Sequence, residues 1–327
     1  MLVRITAMEQ FELALLGAAP ALVAMAIIDR MDSKRPEPRS TLRRVALAGA
    51  ISALPVILVG ELLKLVGPTT GYAAALWMSF VIAALPEETA KLTSVYLMAW
   101  RRPEFDERMD GIVYGARAGL GFALVENVAY LLLLPHSWSE YVTVYIGRAV
   151  LAVPGHAIWG GVSGYYAARR RFDGRGPSWW GGVLIAVVMH GAYDAWLFCA
   201  PVAIADGHMW LATTVAGLPV MIYLVPAVMI AASALLLREL SRRAIVDDDA
   251  ATHGLRIAGL DVVGGIEELE RCFAAKPFHA IIVTTRELSE GTRQQLARFA
   301  NEHDLALESF HVEVSPWTPA SASRSCC

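Results

Sequence analysis

Two adjacent glutamates, Glu87 and Glu88, lie in the middle of an apolar stretch, 72–100, long enough to cross a membrane. A carboxylate at mid-bilayer costs on the order of 2.5–3.5 kcal/mol on insertion scales. Two side by side also repel, so one is expected to hold its proton part of the time. Lys91 follows Glu87 by four residues and Glu88 by three, on the same helix face, and offsets part of the charge. An ion-paired cluster that only packs helices is the plain alternative. The chemical reading is stronger, because ionisable groups inside a membrane usually carry function. A carboxylate that exchanges its proton near neutral pH is a general base toward water, and a second carboxylate or a histidine can pass the proton on.

Further polar groups recur at similar depth in other apolar runs. Glu126 and Asn127 follow Phe122 in Phe122-Ala-Leu-Val-Glu-Asn127. Arg148 and His156 share another run, and His190 and Asp194 lie four apart in His190-Gly-Ala-Tyr-Asp194, on one helix face. Taken singly, each could be an interhelical hydrogen bond worth about 0.6–2 kcal/mol. Together they predict a polar cavity inside a helix bundle. His190, with Asp194 or backbone N–H groups, could donate to a developing oxyanion. Glu87, His156 and His190 could instead hold zinc with one position open, although no His-Glu-x-x-His run is present. A proton relay in a transporter would use the same residue types.

The elements that must position these groups follow from composition. The 327 residues are 56% hydrophobic and 18% charged, with mean hydropathy +0.46. That excludes a single soluble domain and fits a polytopic helical membrane protein. The net charge of −3 gives no footprint for nucleic acid. Apolar runs at 11–28, 45–66, 72–99, 111–134, 142–168, 179–200 and 211–237 predict about seven spans. Loops with Arg39, Arg102, Arg171 and Arg238 alternate with loops lacking Lys and Arg. The positive-inside rule then sets the N-terminus outside and the C-terminus in the cytoplasm. Glycines such as Gly115, Gly119, Gly160 and Gly164 read as close helix packing. No basic run with a cleavage site opens the chain, so no signal peptide is expected. The final Cys326-Cys327 lacks the usual lipidation box.

Residues 1–243 therefore read as the membrane domain and 244–256 as a polar linker. Residues 257–314 alternate in a β-α-β-α-β pattern, a small cytoplasmic α/β unit. Residues 315–327 read as a disordered Pro/Ser-rich tail.

Pro86-Glu-Glu-Thr-Ala-Lys91, Phe122-Ala-Leu-Val-Glu-Asn127 and His190-Gly-Ala-Tyr-Asp194 resemble the three motifs of the PrsW family: Glu-Glu-x-x-Lys, Phe-x-x-x-Glu-Asn and His-x-x-x-Asp. Arg148, Gly155-His156 and Gly164-Tyr165 resemble that family's fifth-span pattern. The resemblance covers most of 45–200. It implies a membrane-embedded endopeptidase, related to the CAAX prenyl-protease and bacteriocin-processing group. In that group a glutamate activates water, and the protein that gives the family its name cleaves a membrane-anchored anti-sigma factor. It further implies Glu87 or Glu88 as the base, Glu126 sharing the water, and His190 with Asp194 at the oxyanion. Lys91, Phe122, Asn127, Arg148 and His156 would support them. No cofactor is expected on this reading, with zinc on Glu87, His156 and His190 as the metal-dependent variant. The implied partners are a membrane-anchored protein substrate and the lipid bilayer. The alternatives are a proton-coupled transporter and a non-enzymatic membrane sensor. Residues 257–314 resemble half of the nucleotide-binding-like domain of sugar-nucleotide dehydratases. They lack a Gly-x-Gly-x-x-Gly run, so they read as a regulatory module for a cytoplasmic partner.

Overall fold

A computed structural model describes residues 7–31, 36–133, 138–174, 176–215, 218–251, 256–257, 260–261, 269–275, 279–283 and 290–309. They form two compact units, Met1–Asp248 and Asp249–Cys327.

The first unit is helical. Its elements are α1 (Ala7–Met31), α2 (Arg39–Lys64), α3 (Gly71–Leu76), α4 (Leu85–Met98), α5 (Arg108–Leu133), α6 (Trp138–Gly147), α7 (Val153–Asp173), α8 (Trp179–Ala205) and α9 (Val220–Ala251). Among the described residues, six helical segments are long and apolar enough to cross a membrane: Met8–Arg30, Arg39–Lys64, Arg108–Leu133, Tyr141–Asp173, Trp179–Ala205 and Val220–Ser241. The protein is thus a polytopic helical membrane protein. Six of the seven apolar runs in the sequence correspond to these segments. The run at 72–99 is α3, a π-helical stretch Trp77–Ala84, and α4 in unbroken succession.

The last span starts later than its apolar run. Residues 211–219 are not helical throughout: Met209–Ala212 is a 3₁₀ turn, and β1 (Thr214–Val215) pairs antiparallel with β2 (Leu218–Pro219). Pro219 has no N–H to offer a helix interior, and α9 begins just after it.

α5 sits at the centre and is buried on nearly every side from Arg108 to Ala123. Its glycines explain how. A Cβ on Gly115 would run into the Gly160 carbonyl of α7, and one on Gly119 into the carbonyl of His156. The two backbones pack directly, as small residues allow in membranes. This contact fixes the height of His156 against α5. By contrast α2 turns Ile51, Leu54, Leu58 and Leu62 outward as an apolar face for lipid.

Charges at the helix ends are tied down. Arg117 donates to Asp29 at 2.5 and 2.6 Å, and Arg108 to Asp173 at 2.8 Å. Thr41 Oγ1 donates to Glu104 at 2.7 Å, and that bond holds the Glu104 carboxyl below its ordinary range. Arg171 donates to the Trp100 carbonyl while lying over the Phe105 and Phe172 rings at 5.0 and 5.1 Å.

In the second unit, α10 (Leu269–Ala275), β5 (Ala280–Val283), α11 (Glu290–Glu302) and β6 (Ala306–Ser309) follow a two-residue pair of β3 (Arg256–Ile257) with β4 (Leu260–Asp261). β5 and β6 run parallel in register Ala280↔Ala306 to Val283↔Ser309, with α11 as the crossover between them. Phe273, Phe299 and His303 pack together between α10 and α11. α9 is helical as far as Ala251, through the start of the stretch read as a linker. The tail 315–327 and the expected strand residues 262–263 lie outside the described residues.

Candidate active site

Two local irregularities in the helices aim the polar groups inward. Trp77–Ala84 is π-helical and ends two residues before Pro86, which directly precedes Glu87 and Glu88. Arg148–Ala152 is π-helical and ends two residues before Pro154, which stands two residues before His156. A proline lacks the N–H that the preceding turn needs, and a π stretch widens the helix, a form that collects at functional sites. The same device is used twice, once ahead of each half of the cluster.

The cluster is centred on Lys91, whose ammonium is almost fully buried. Its Nζ donates to Glu88 Oε1 at 2.7 Å and Glu87 Oε2 at 3.2 Å, and meets His156 Nδ1 at 2.7 Å. An ammonium can only donate, so Nδ1 of His156 accepts and Nε2 carries the hydrogen. That Nε2 lies 2.8 Å from Glu126 Oε2. Arg148 meets the same Glu126 oxygen at 2.8 Å, donates to Asn127 Oδ1 at 2.6 Å, and stacks over the Tyr130 ring at 3.9 Å. His190 Nδ1 lies 2.8 Å from Glu88 Oε1 and 3.9 Å from Glu87 Oε2, while its Nε2 lies 3.3 Å from Asp194. Phe122 closes over Lys91 at 4.7 Å from its ring centroid.

All ten residues singled out in the sequence therefore meet in one connected network. The sequence reading missed Trp159. Its ring stacks on His190 at 4.3 Å and stands edge-on to His156 at 5.5 Å, so it fixes both imidazoles. Hydropathy could not separate it from an ordinary apolar core residue. Tyr130 was also missed; it lines the cavity described next.

The two glutamates are not equivalent. Glu88 is wholly buried and held by both Lys91 and His190. Glu87 has the longer contact to Lys91 and opens, together with Glu126, into a cavity of about 330 Å³ between α2, the π-helical stretch and α5.

The donor set also bears on a metal. Glu87, Glu88 and His156 bring ligand atoms within 4.8 Å of one another, and Glu88 Oε2 has no hydrogen-bond partner among the described residues. Carboxylate and imidazole suit zinc. Four carboxylates, Glu87, Glu88, Glu126 and Asp194, face two fixed cations, Lys91 and Arg148, and a divalent ion or two protons would balance them. The Lys91 ammonium, however, stands within 2.7–3.2 Å of all three ligand residues. A zinc ion bonded at about 2.0–2.2 Å to those atoms would collide with it. The set fits a metal only with Lys91 withdrawn.

Comparison with known proteins extends over this unit. Residues 37–239 match the family model described as PrsW family intramembrane metalloprotease, and the match ends within α9. The chain is 34% identical over 192 residues to Protease PrsW of Geobacillus kaustophilus, covering 58% of this chain and 81% of that relative. It is 32% identical over 189 residues to Protease PrsW of Clostridioides difficile, covering 57% and 79%. Against Protease PrsW of Bacillus subtilis it is 30% identical over 181 residues, covering 54% and 79%. No solved structure matches.

Proposed function

For a chain that belongs to the PrsW family of membrane proteases, we propose a glutamate-activated hydrolysis of a membrane-anchored protein. The observation that carries this reading is Glu87 and Glu126 lining one cavity, while Glu88, Lys91 and both histidines are bonded behind them. Glu87 takes a proton from water as the water oxygen attacks the scissile carbonyl, and returns it to the departing amine. Glu126 holds the water from the other side. Lys91 and Glu88 keep the charge around Glu87 balanced. A proton-coupled transporter would use similar residues but leaves the family match unexplained.

His190 is assigned to the oxyanion. Both its nitrogens face carboxylates, and the Asp194 contact is the longer at 3.3 Å against 2.8 Å for Glu88. The Nε2 hydrogen therefore shifts from Asp194 to the oxyanion as charge develops. His190→Ala should lower kcat for a membrane-anchored reporter by about 10²–10³, the effect of one lost donor. KM should change far less, because the bond forms in the transition state. Asp194→Asn should be milder than Asp194→Ala. Unaltered kcat in His190→Ala would remove His190 from the reaction.

The catalytic type is taken as glutamic, since Lys91 fills the space between the donor atoms that a metal would need. Purified protein in detergent should keep its activity in strong chelators and carry no stoichiometric zinc. Activity that is lost on chelation and returns with zinc would reverse this assignment.

Residues 71–98 are read as a seventh span, with the N-terminus outside and the C-terminal unit in the cytoplasm. Reporter fusions after Thr70 and Ser137 should report an external position, and those after Arg39, Arg102 and Arg171 a cytoplasmic one. A cytoplasmic signal after Thr70 would overturn the orientation. The substrate is read as a regulatory protein of the anti-sigma-factor kind, and the unit 257–314 as the docking module for a cytoplasmic partner. That unit lies beyond the family match.

A further inference from the structure

His190 is oriented by contacts at its two nitrogens and by one stacked ring. Its Nδ1 lies 2.8 Å from Glu88 Oε1, its Nε2 lies 3.3 Å from Asp194, and the Trp159 indole covers one face. The stack is close and almost parallel, with centroids 4.3 Å apart and the planes 13° from each other. Trp159 is wholly buried, so no water competes for that face.

These contacts are not equal once the reaction begins. In the resting site both nitrogens have carboxylate partners, and those two set the ring plane. When Nε2 turns its hydrogen from Asp194 to the oxyanion, Glu88 is the close carboxylate that remains, with Glu87 at 3.9 Å. A ring held at one nitrogen can tilt about that bond, and a donor stabilises the oxyanion only while it is aimed at it. The indole resists the tilt. Turning the imidazole one way drives its edge into the buried indole, and the other way forfeits the stacking contact.

Trp159 is itself wedged in place. Gly155 lies one turn earlier on α7, in ordinary helical backbone. A Cβ there would stand 2.7 Å from Trp159 Cη2, 2.9 Å from Cζ2 and 3.0 Å from Ile230 Cδ1 of α9. A buried indole has no open space to retreat into, so its outer edge demands glycine at 155. Tyr193 of α8 stands edge-on to the same ring at 5.5 Å. The indole also meets His156 edge-on, but there it has less to do. His156 keeps a partner at each nitrogen, Lys91 at 2.7 Å and Glu126 at 2.8 Å.

We propose that Trp159 is a positioning residue for the reaction. It keeps the His190 ring aimed while Nε2 leaves Asp194 for the oxyanion, and Gly155 is glycine to make room for it. The inference rests on the peptidase reading with His190 at the oxyanion. It adds the group that holds the donor when one of its two carboxylate partners lets go. The stack is needed after substrate has bound, so its loss appears in kcat rather than KM.

The test uses the full chain in detergent and a membrane-anchored reporter. Trp159→Leu should lower kcat about 10²-fold, the scale of a misplaced reacting group, with KM little changed. Trp159→Phe keeps an aromatic face and should recover most of that loss. Trp159→Leu combined with His190→Ala should be no slower than His190→Ala alone, because an absent donor has no aim to lose. Gly155→Ala reaches the same contact with the indole still present. It should be slow by itself and should cost little on top of Trp159→Phe, whose shorter ring does not reach the place of Cη2. Losses that multiply when Trp159→Leu and His190→Ala are combined would overturn the proposal, as would a loss carried by KM. An unaltered rate in Gly155→Ala would overturn the reason given for that glycine. If His190→Ala keeps its kcat, the proposal falls with the oxyanion assignment, while cleavage itself upholds the peptidase reading. Melting in detergent supplies a readout without cleavage. The falls in melting temperature of Trp159→Leu and His190→Ala should sum to more than the fall in the combined variant. Such coupling in a protein that cuts no reporter would keep the stack and remove the peptidase reading. Cleavage with multiplying losses would do the reverse.

Discussion

Glu87→Gln should abolish cleavage while leaving the protein inserted and folded. The amide keeps the shape of the side chain and its place in the cavity, but it cannot take a proton from water. The expected fall is at least ~10²-fold, the usual contribution of a positioned general base. Glu88→Gln should also fall, for a different reason. Glu88 binds Lys91 and His190 at 2.7 and 2.8 Å, so its loss of charge disturbs both. The two variants are separated by their stability. Glu87→Gln should unfold in detergent at nearly the unmodified temperature, and Glu88→Gln well below it. Wild-type rates in both single variants would end the peptidase reading.

The second large effect is expected at Lys91. Its ammonium is buried to 1% exposure and touches Glu87, Glu88 and His156. Lys91→Met keeps the stem and removes the charge. It leaves two carboxylates facing one another without their cation, and breaking a buried pair in this way costs about 3–5 kcal/mol. The variant should accumulate poorly and melt early in detergent. It should also be the one form of the protein in which Glu87, Glu88 and His156 are free to take up zinc. Added zinc should therefore raise its melting temperature and leave that of the unmodified protein unchanged. A Lys91→Met protein as stable as the parent would show that the ammonium does not balance the cluster.

How much of this could be read from the chain differs from residue to residue. Glu87, Glu88, Glu126, His156, His190 and Asp194 stand out because each is an ionisable group in an apolar run, which needs no knowledge of the fold. The pairing of Lys91 with both glutamates follows from helical spacing. Its contact with His156 does not, because that depends on the height at which α7 packs on α5, set by Gly115 against Gly160. Trp159 is invisible for a related reason. An aromatic residue in an apolar helix looks the same whether it faces lipid or stacks on His190 at 4.3 Å. The π-helical stretches were not anticipated either. Pro86 and Pro154, each just ahead of a site residue, were the available signal. Hydropathy averaged over a window also set the last span nine residues early, 211 against Val220, because it does not register the missing N–H of Pro219.

The central claim is that this membrane protein cuts another membrane protein, and that its paired glutamates do the work. The most direct measurement compares membrane protein termini in cells with the gene, without it, and complemented by a copy carrying both Glu87→Gln and Glu88→Gln. The account predicts at least one membrane-anchored protein whose shortened form is present in the first cells, absent in the second and still absent in the third. A shortened form restored by the doubly substituted copy would contradict it.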